Sequence, residues 1–440
     1  MQVLKGLAVT ATILGLAGIQ AKAQDFYWNS AGARSMGLGG AYVPSSAGAL
    51  EALTTNPAGL SVLSSRTLDM SLTGEFARGS FSNSANQNAP MTTSPGVMPY
   101  GAFGTPIGHS RFSFGFGITP ELMSVSDWRY VDAPGVAGAT YGSQQQKAAI
   151  LAARSAAGIG VSFGPKLALG ATFGVDYNQN TLEAPYIFQQ QPTLAGLKTM
   201  LNLHTDGFGW NTSVGAIVRP SRKVTLGVSW KSRTVINSTG TASGDAGAQF
   251  AALGLAGVPA SFNYSAAVRN VLPQSAIASI NWRVNPRWLL ALQANWVNWH
   301  DAFVTLPVAL TNGTNAAING LLNSSSLNDG VPLNWKDQYS FHGGVERQLT
   351  ESVSVRGGFA HMNNPVPGST LTPLTAAIMA NQLTTGIGYR TGRYRFDLGY
   401  AYNLTGQGNV QQSSLLAGEY NNSVVRLGTQ ALTLSTSIQF

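Results

Sequence analysis

Cysteine is absent from the 440-residue sequence, which excludes both a disulfide framework and a lipid-modified N-terminal cysteine. Charge is scarce as well. Asp, Glu, Lys and Arg make up 10% of the chain, where a soluble domain carries about a quarter and uses it to cover its surface. After the first two dozen residues no run is apolar over the ~20 positions that a membrane-spanning helix requires. A chain with too little charge for water and no helix for lipid is left with strands as its way of crossing a bilayer. The formal net charge of +8 is carried by basic residues scattered along the sequence, with no clustered footprint for nucleic acid. The five histidines, His109, His204, His300, His342 and His361, stand in no metal-ligand spacing, and no serine-centred nucleophile motif accompanies them. Neither an enzyme nor a cofactor is called for.

What is present begins with an export signal. Lys5, an apolar run from Gly6 to Ile19 and Ala21-Lys22-Ala23 form a secretory leader with a small-x-small cleavage site, so residues 1–23 are expected to be removed. Residues 24–65 follow. They contain GARSMGLGGAYVPSSAGALEALTTNPAGL, small and almost uncharged, with a short helix expected around Glu51 to Leu53 that stops before Pro57.

From residue 66 onward, apolar and polar residues alternate with period two, the signature of strands with one greasy face. Leu167, Leu169, Ala171, Phe173, Val175 and Tyr177 share a face in LALGATFGVDY, against Gly170, Thr172, Gly174 and Asp176. VTLGVSWK at 224–231 and WLLALQANW at 288–296 repeat the pattern. Alternation alone also fits a sandwich. The connections decide. Six short turns, near 106, 164, 219, 284, 346 and 390, alternate with long Gly/Asn/Ser-rich segments at roughly 77–99, 120–150, 178–208, 233–263, 300–338, 362–382 and 403–424. Six hairpins plus a first and a last strand make fourteen. An even count with short turns at one end and long loops at the other describes an all-β, antiparallel outer-membrane barrel over residues 66–440. The last strand carries Leu432, Leu434, Ile438 and the terminal Phe440 on one face. A barrel this wide cannot be filled by its own side chains, so residues 24–65 read as a plug, or hatch, within it.

Five motifs in one order, together with Asn56-Pro57-Ala58 in the plug, carry a family resemblance: GFGWNTSVG at 207–215, VSWKSR at 228–233, VNPRWLLALQANWVNWHDAF at 284–303, WKDQYSFHGG at 335–344 and NNPVPGSTL at 363–371. The chain resembles the FadL/TodX-type outer-membrane transporters of long-chain fatty acids and other hydrophobic compounds. That resemblance implies a fourteen-stranded barrel with an N-terminal hatch, passive uptake through extracellular loops and a lumen pocket, and lateral release past a kink in the third strand. Asn56, Pro57, Ala58 and Gly59 are then the hatch and gating residues.

The third strand, RFSFGFGITPELM, keeps Phe112, Phe114, Phe116 and Ile118 on one face until Pro120 interrupts it. Proline donates nothing to a ladder, so Gly117 and Pro120 are the expected kink. Ligand capture is expected from the third and fourth long loops. There, Leu194, Leu197 and Leu201 stand at helical spacing, joined by Ile187, Phe188, Phe250, Leu253, Leu255 and Phe262. Fatty-acid transporters of the family place basic side chains where the strand enters the third loop, but DYNQNTLEAPY has none. Lys336, which alternation puts on an inward face near the rim, is the remaining carboxylate anchor, and a neutral or aromatic hydrocarbon is the other open class. The expected partners are a hydrophobic small-molecule ligand, outer-membrane lipid and lipopolysaccharide, and the barrel-assembly machinery; the barrel is expected to be a monomer. The alternative is a barrel of this fold that binds or assembles with a secretion system without transport.

Overall fold

Alternating side chains build the wall. The computed structural model describes residues 24–25, 32–44, 48–92 and 96–440; the leader expected at 1–23 lies outside them. Fourteen antiparallel strands close on themselves. They are β1 (Thr67–Asn83), β2 (Gly96–Pro106), β3 (Phe112–Val131), β4 (Ser143–Phe163), β5 (Leu167–Ile187) and β6 (Lys198–Val218). Four strands then run in two pieces each: β7 (Val224–Lys231 and Thr234–Asp245), β8 (Ser261–Leu272 and Ser275–Asn285), β9 (Trp288–Val297 and Thr305–Thr311) and β10 (Leu327–Pro332 and Gln338–Gln348). β11 (Val353–Met362), β12 (Asn381–Thr391), β13 (Tyr394–Asn403) and β14 (Ser423–Gln439) complete the circuit. β14 pairs with β1 from Thr67↔Gln439 to Ser82↔Val424, and that ladder leaves no edge.

The greasy face is the outer one. Phe173, Trp210, Val228, Leu292 and Leu434 are exposed, while their neighbours Thr172, Asp176, Asn211, Gln293 and Thr433 are buried toward the lumen. This arrangement suits lipid outside and polar groups inside. Exposed Trp230, Trp282, Trp288, Tyr400 and Tyr402 fit the interfacial girdles.

The short connections fall where expected. The long ones are shorter than the composition indicated, because β3 to β6 run 20 or 21 residues each, about twice the ~9–11 that cross a bilayer. Beyond the lipid a strand has no reason to be greasy, so its upper half has a loop-like composition.

Inside the barrel, α1 (Ala33–Gly37), α2 (Ala49–Thr54) and a 3-10 turn (Pro57–Val62) are buried. Gly48 precedes α2 and offers it no side-chain cap. α1 is tied to the wall by charge. The Arg34 guanidinium donates to both Glu346 oxygens at 2.9 and 2.8 Å. Glu346 accepts from Arg356 at 2.7 Å, and Arg356 and Arg395 each reach Asp397 at 2.8 Å. Close approach is possible because both surfaces are glycine-rich. Gly39, at φ +74, lies against the backbone of Phe359 and Gly343, where a side chain would collide.

Candidate functional site

The hairpin ends above β5 to β10 converge on one cavity. Past Ile187 the chain turns through 188–197, where Gly196 takes φ +83, a conformation that closes a turn and stops a helix. The helical spacing of Leu194, Leu197 and Leu201 therefore produces no helix: Leu194 is in the turn, Leu197 follows it and Leu201 belongs to β6. Burial brings them to one side all the same. Leu194 and Leu201 share an apolar cluster with Phe188, Phe262 and Tyr264, and Leu197 and Phe250 pack against it. Phe250 sits on α3 (Gly247–Ala252). Leu253 and Leu255 remain 46% and 47% exposed at the lip.

These side chains enclose about 520 Å³, within the ~300–1,000 Å³ of small-molecule pockets and well above the ~150 Å³ apolar cavity that accepts benzene. Ile187, Phe188, Leu194, Leu197, Leu201, Phe250, Leu253, Leu255 and Phe262 all line it. The floor is aromatic, a feature the sequence reading missed. Phe303 and Trp335 line the cavity, and their rings lie 4.8 and 5.1 Å from that of Trp299 on α4 (Trp299–Ala302). The roof is braced by Asp329 in β10. Its carboxylate accepts from the Tyr186 hydroxyl at 2.5 Å and from the backbone N–H groups of Gln189, Gln190 and Gln191 at 2.5 to 3.2 Å.

One wall of the cavity is charged yet neutral in sum. Lys198, the first residue of β6, is fully buried; its Nζ donates to Asp132 Oδ1 at 2.7 Å and to the Ala133 carbonyl at 2.6 Å. Glu419 Oε1 stands 3.5 Å from Nζ. Burial, opposed by Lys198 and reinforced by the Asp132 carboxylate, pushes Glu419 up to about 8. Glu419 is thus shifted toward its protonated form, and Lys198 pairs with Asp132. Among the described lining residues Lys198 is the only Lys or Arg, and its charge is already matched. Lys336 is elsewhere. It lies in the break between the two pieces of β10, exposed, and does not line the cavity. Alternation does not extend through a break in the strand, so it cannot aim Lys336 inward.

Below the cavity the sheet has a one-sided gap. β3 follows β4 along its whole length with one bulge between Pro120 and Leu122, but it pairs with β2 only from Ser113↔Pro106 to Ile118↔Gly101. From Thr119 to Trp128 every side chain is buried, so this half of β3 has left the lipid surface for the lumen. Gly117 faces Ala102 of β2 at the last paired rungs, and Pro120 sits at the bulge. On the freed edge, Gln24 and Asp25 pair with Ser124 and Met123. Met98 of β2 packs near Met123 and Val125 across the gap. The bulge turns Glu121 inward to an ion pair with Lys231, at the break in β7, four strands further round the barrel.

Asn56 bridges the hatch to two strands of the wall. Its Nδ2 donates to the Ala216 carbonyl of β6 at 3.2 Å and to the Val228 carbonyl of β7 at 3.0 Å, while Oδ1 accepts from the Ala58 N–H at 3.1 Å. Pro57 and Ala58 lie on Gly170, where any side chain would clash with their backbone. Gly59 sits under Tyr42.

Comparison with known proteins agrees with this architecture. Residues 14–440 match the family model described as outer membrane protein transport protein (OMPP1/FadL/TodX). No curated protein matches the sequence. Among solved structures, a Pseudomonas aeruginosa FadL homologue superposes with a TM-score of 0.74 at 16% identity, over 94% of this chain and 99% of that one. The Pseudomonas putida toluene transporter TodX superposes with 0.73 at 18%, over 95% and 100%. The CymD monoaromatic hydrocarbon channel gives 0.65 at 15%, over 94% and 99%.

Proposed function

The chain belongs to the OMPP1/FadL/TodX family of outer-membrane transport proteins, and from that premise we propose that it carries uncharged hydrophobic small molecules, aromatic hydrocarbons in particular, passively across the outer membrane. The observation that carries the substrate class is the cavity: apolar side chains from several hairpins around about 520 Å³, with an aromatic floor and a lysine already neutralised. Burying apolar ligand surface yields about 25 cal/mol per Å², so capture needs no charge. A carboxylate would enter without a free cation to receive it, at a steep desolvation cost. TodX and CymD, whose structures are described as a toluene transporter and a monoaromatic hydrocarbon channel, make the aromatic class a natural one to test.

In this reading ligand lands at Leu253 and Leu255, enters the cavity, and leaves sideways through the gap between β2 and β3. The hatch, as residues 24–65, gates that passage. Residues 1–23 act as the cleaved leader. Replacing both Leu197 and Leu255 with Asp places charge on the cavity wall and lip while leaving the barrel ladders intact. Uptake of radiolabelled toluene by cells carrying this variant should fall at least tenfold, with outer-membrane levels unchanged; unchanged uptake would remove the cavity from the route.

A further inference from the structure

We infer that the short-turn rim of the barrel is a binding surface for the headgroups of anionic phospholipids in the adjoining leaflet. The basic residues that are dispersed in sequence are gathered there by the fold. The β4–β5 turn carries Lys166, the β6–β7 turn carries Arg222 and Lys223, and the end of β8 and the turn after it carry Arg283 and Arg287, all exposed. The remaining short connections and the strand ends that flank them add exposed Arg111, Arg347, Arg390 and Arg393, and Arg66 just precedes β1. Glu351 is the one exposed acid in these turns. None of these basic residues is ion-paired with a carboxylate among the described residues. At the long-loop end, by contrast, basic side chains are interspersed with acids, exposed Asp301 and half-buried Glu183 and Asp337 among them, and Lys147 is paired with Glu183.

Geometry places that charge at the lipid perimeter and not over the pore. Arg111 lies over the rings of Phe112 and Phe163 at 5.5 and 5.1 Å. Arg347 lies over Trp288 at 5.1 Å, and Arg393 over Tyr394 and Phe440 at 5.0 and 5.9 Å. Phe112, Phe163, Trp288 and Phe440 are exposed on the outer wall, where aromatic rings mark the level of the headgroups. A guanidinium over such a ring retains N–H donors for a phosphate, which arginine binds bidentately. Short turns face the periplasm in barrels of this kind, so the phosphates within reach belong to the inner leaflet.

The test uses the full mature chain in nanodiscs of equimolar phosphatidylglycerol and phosphatidylethanolamine, with the lipid retained on release into neutral detergent counted by native mass spectrometry. Wild type should keep phosphatidylglycerol over phosphatidylethanolamine by on the order of tenfold, a preference that falls with added salt. A variant with Arg111, Lys166, Arg222, Lys223, Arg347 and Arg393 changed to Gln should lose it; should that variant fail to fold, R222Q/K223Q alone should halve it. Changing Arg129, Lys147, Arg233, Arg269, Lys336 and Arg426 at the other end to Gln should leave it intact. No preference in wild type, a preference that survives the rim variant, or equal loss from both ends would overturn the proposal. So would binding of isolated murein by wild type without any lipid preference, since the rim would then serve an acidic wall polymer.

Discussion

Replacing Lys198 with Met removes the cation from a pair in which both side chains are 0% exposed, so solvent screening does not soften the loss. Met keeps the apolar stem but takes the buried cation away from the Asp132 carboxylate, to which the Tyr141 N–H at 3.0 Å and the protonated Glu419 carboxyl still donate. Breaking a buried pair by removing one partner costs about 3–5 kcal/mol. The barrel ladders do not share that cost, because the pair joins the 132–142 loop to the start of β6 and, through Glu419, to the 404–422 loop. The cost should therefore appear as local opening. Hydrogen exchange followed by mass spectrometry should show amides in 133–142 and 411–422 exchanging roughly a hundredfold faster or more, with exchange in β11 to β13 unchanged. The double variant Asp132→Asn with Lys198→Met should recover most of the protection, since no uncompensated charge remains. The reasoning fails if the single variant exchanges like wild type, or if the double variant is no better than the single one.

The same cluster predicts a pH dependence. Glu419 is higher folded than unfolded, at about 8, so the folded loops hold a proton that the open loops release. Loop stability should fall as pH rises from the ordinary carboxylate range to about 8 and level off above it, and E419Q should flatten the profile of exchange corrected for intrinsic rate. Deleting Asn56, Pro57 and Ala58 removes the two bonds to the wall carbonyls of Ala216 and Val228. The barrel should still insert and remain heat-modifiable, while hydrophobic uptake falls severalfold and small polar solutes leak. Loss of assembly, or uptake at wild-type level, would make the segment structural or idle.

Much of the barrel is legible along the chain because its determinants are local. A strand in lipid must alternate, and a hairpin facing the periplasm must be short, so residues 66–440 announce fourteen strands without any long-range information. The residues that line the cavity were equally legible, since Leu194, Phe250 and Leu255 are greasy in segments outside the lipid-facing strands. Their conformation was not. Helical spacing is also produced by a turn whose side chains are drawn to one cavity, and Gly196 decided between the two. Lys336 failed for a related reason, because face alternation assumes an unbroken strand.

Sequence by itself therefore determined the class of the wall, the strand number and which segments are apolar, because period and turn length are properties of neighbouring residues. Only the tertiary structure decided what meets what. It seated Lys198 on Asp132, 66 positions away, and set Trp299 against Phe303 and Trp335 as a floor. It brought Glu121 of β3 to Lys231 of β7, and it gathered basic residues dispersed from Arg66 to Arg393 onto one rim. Those meetings depend on barrel closure and on which end each turn faces, and neither is written in any local stretch of the chain.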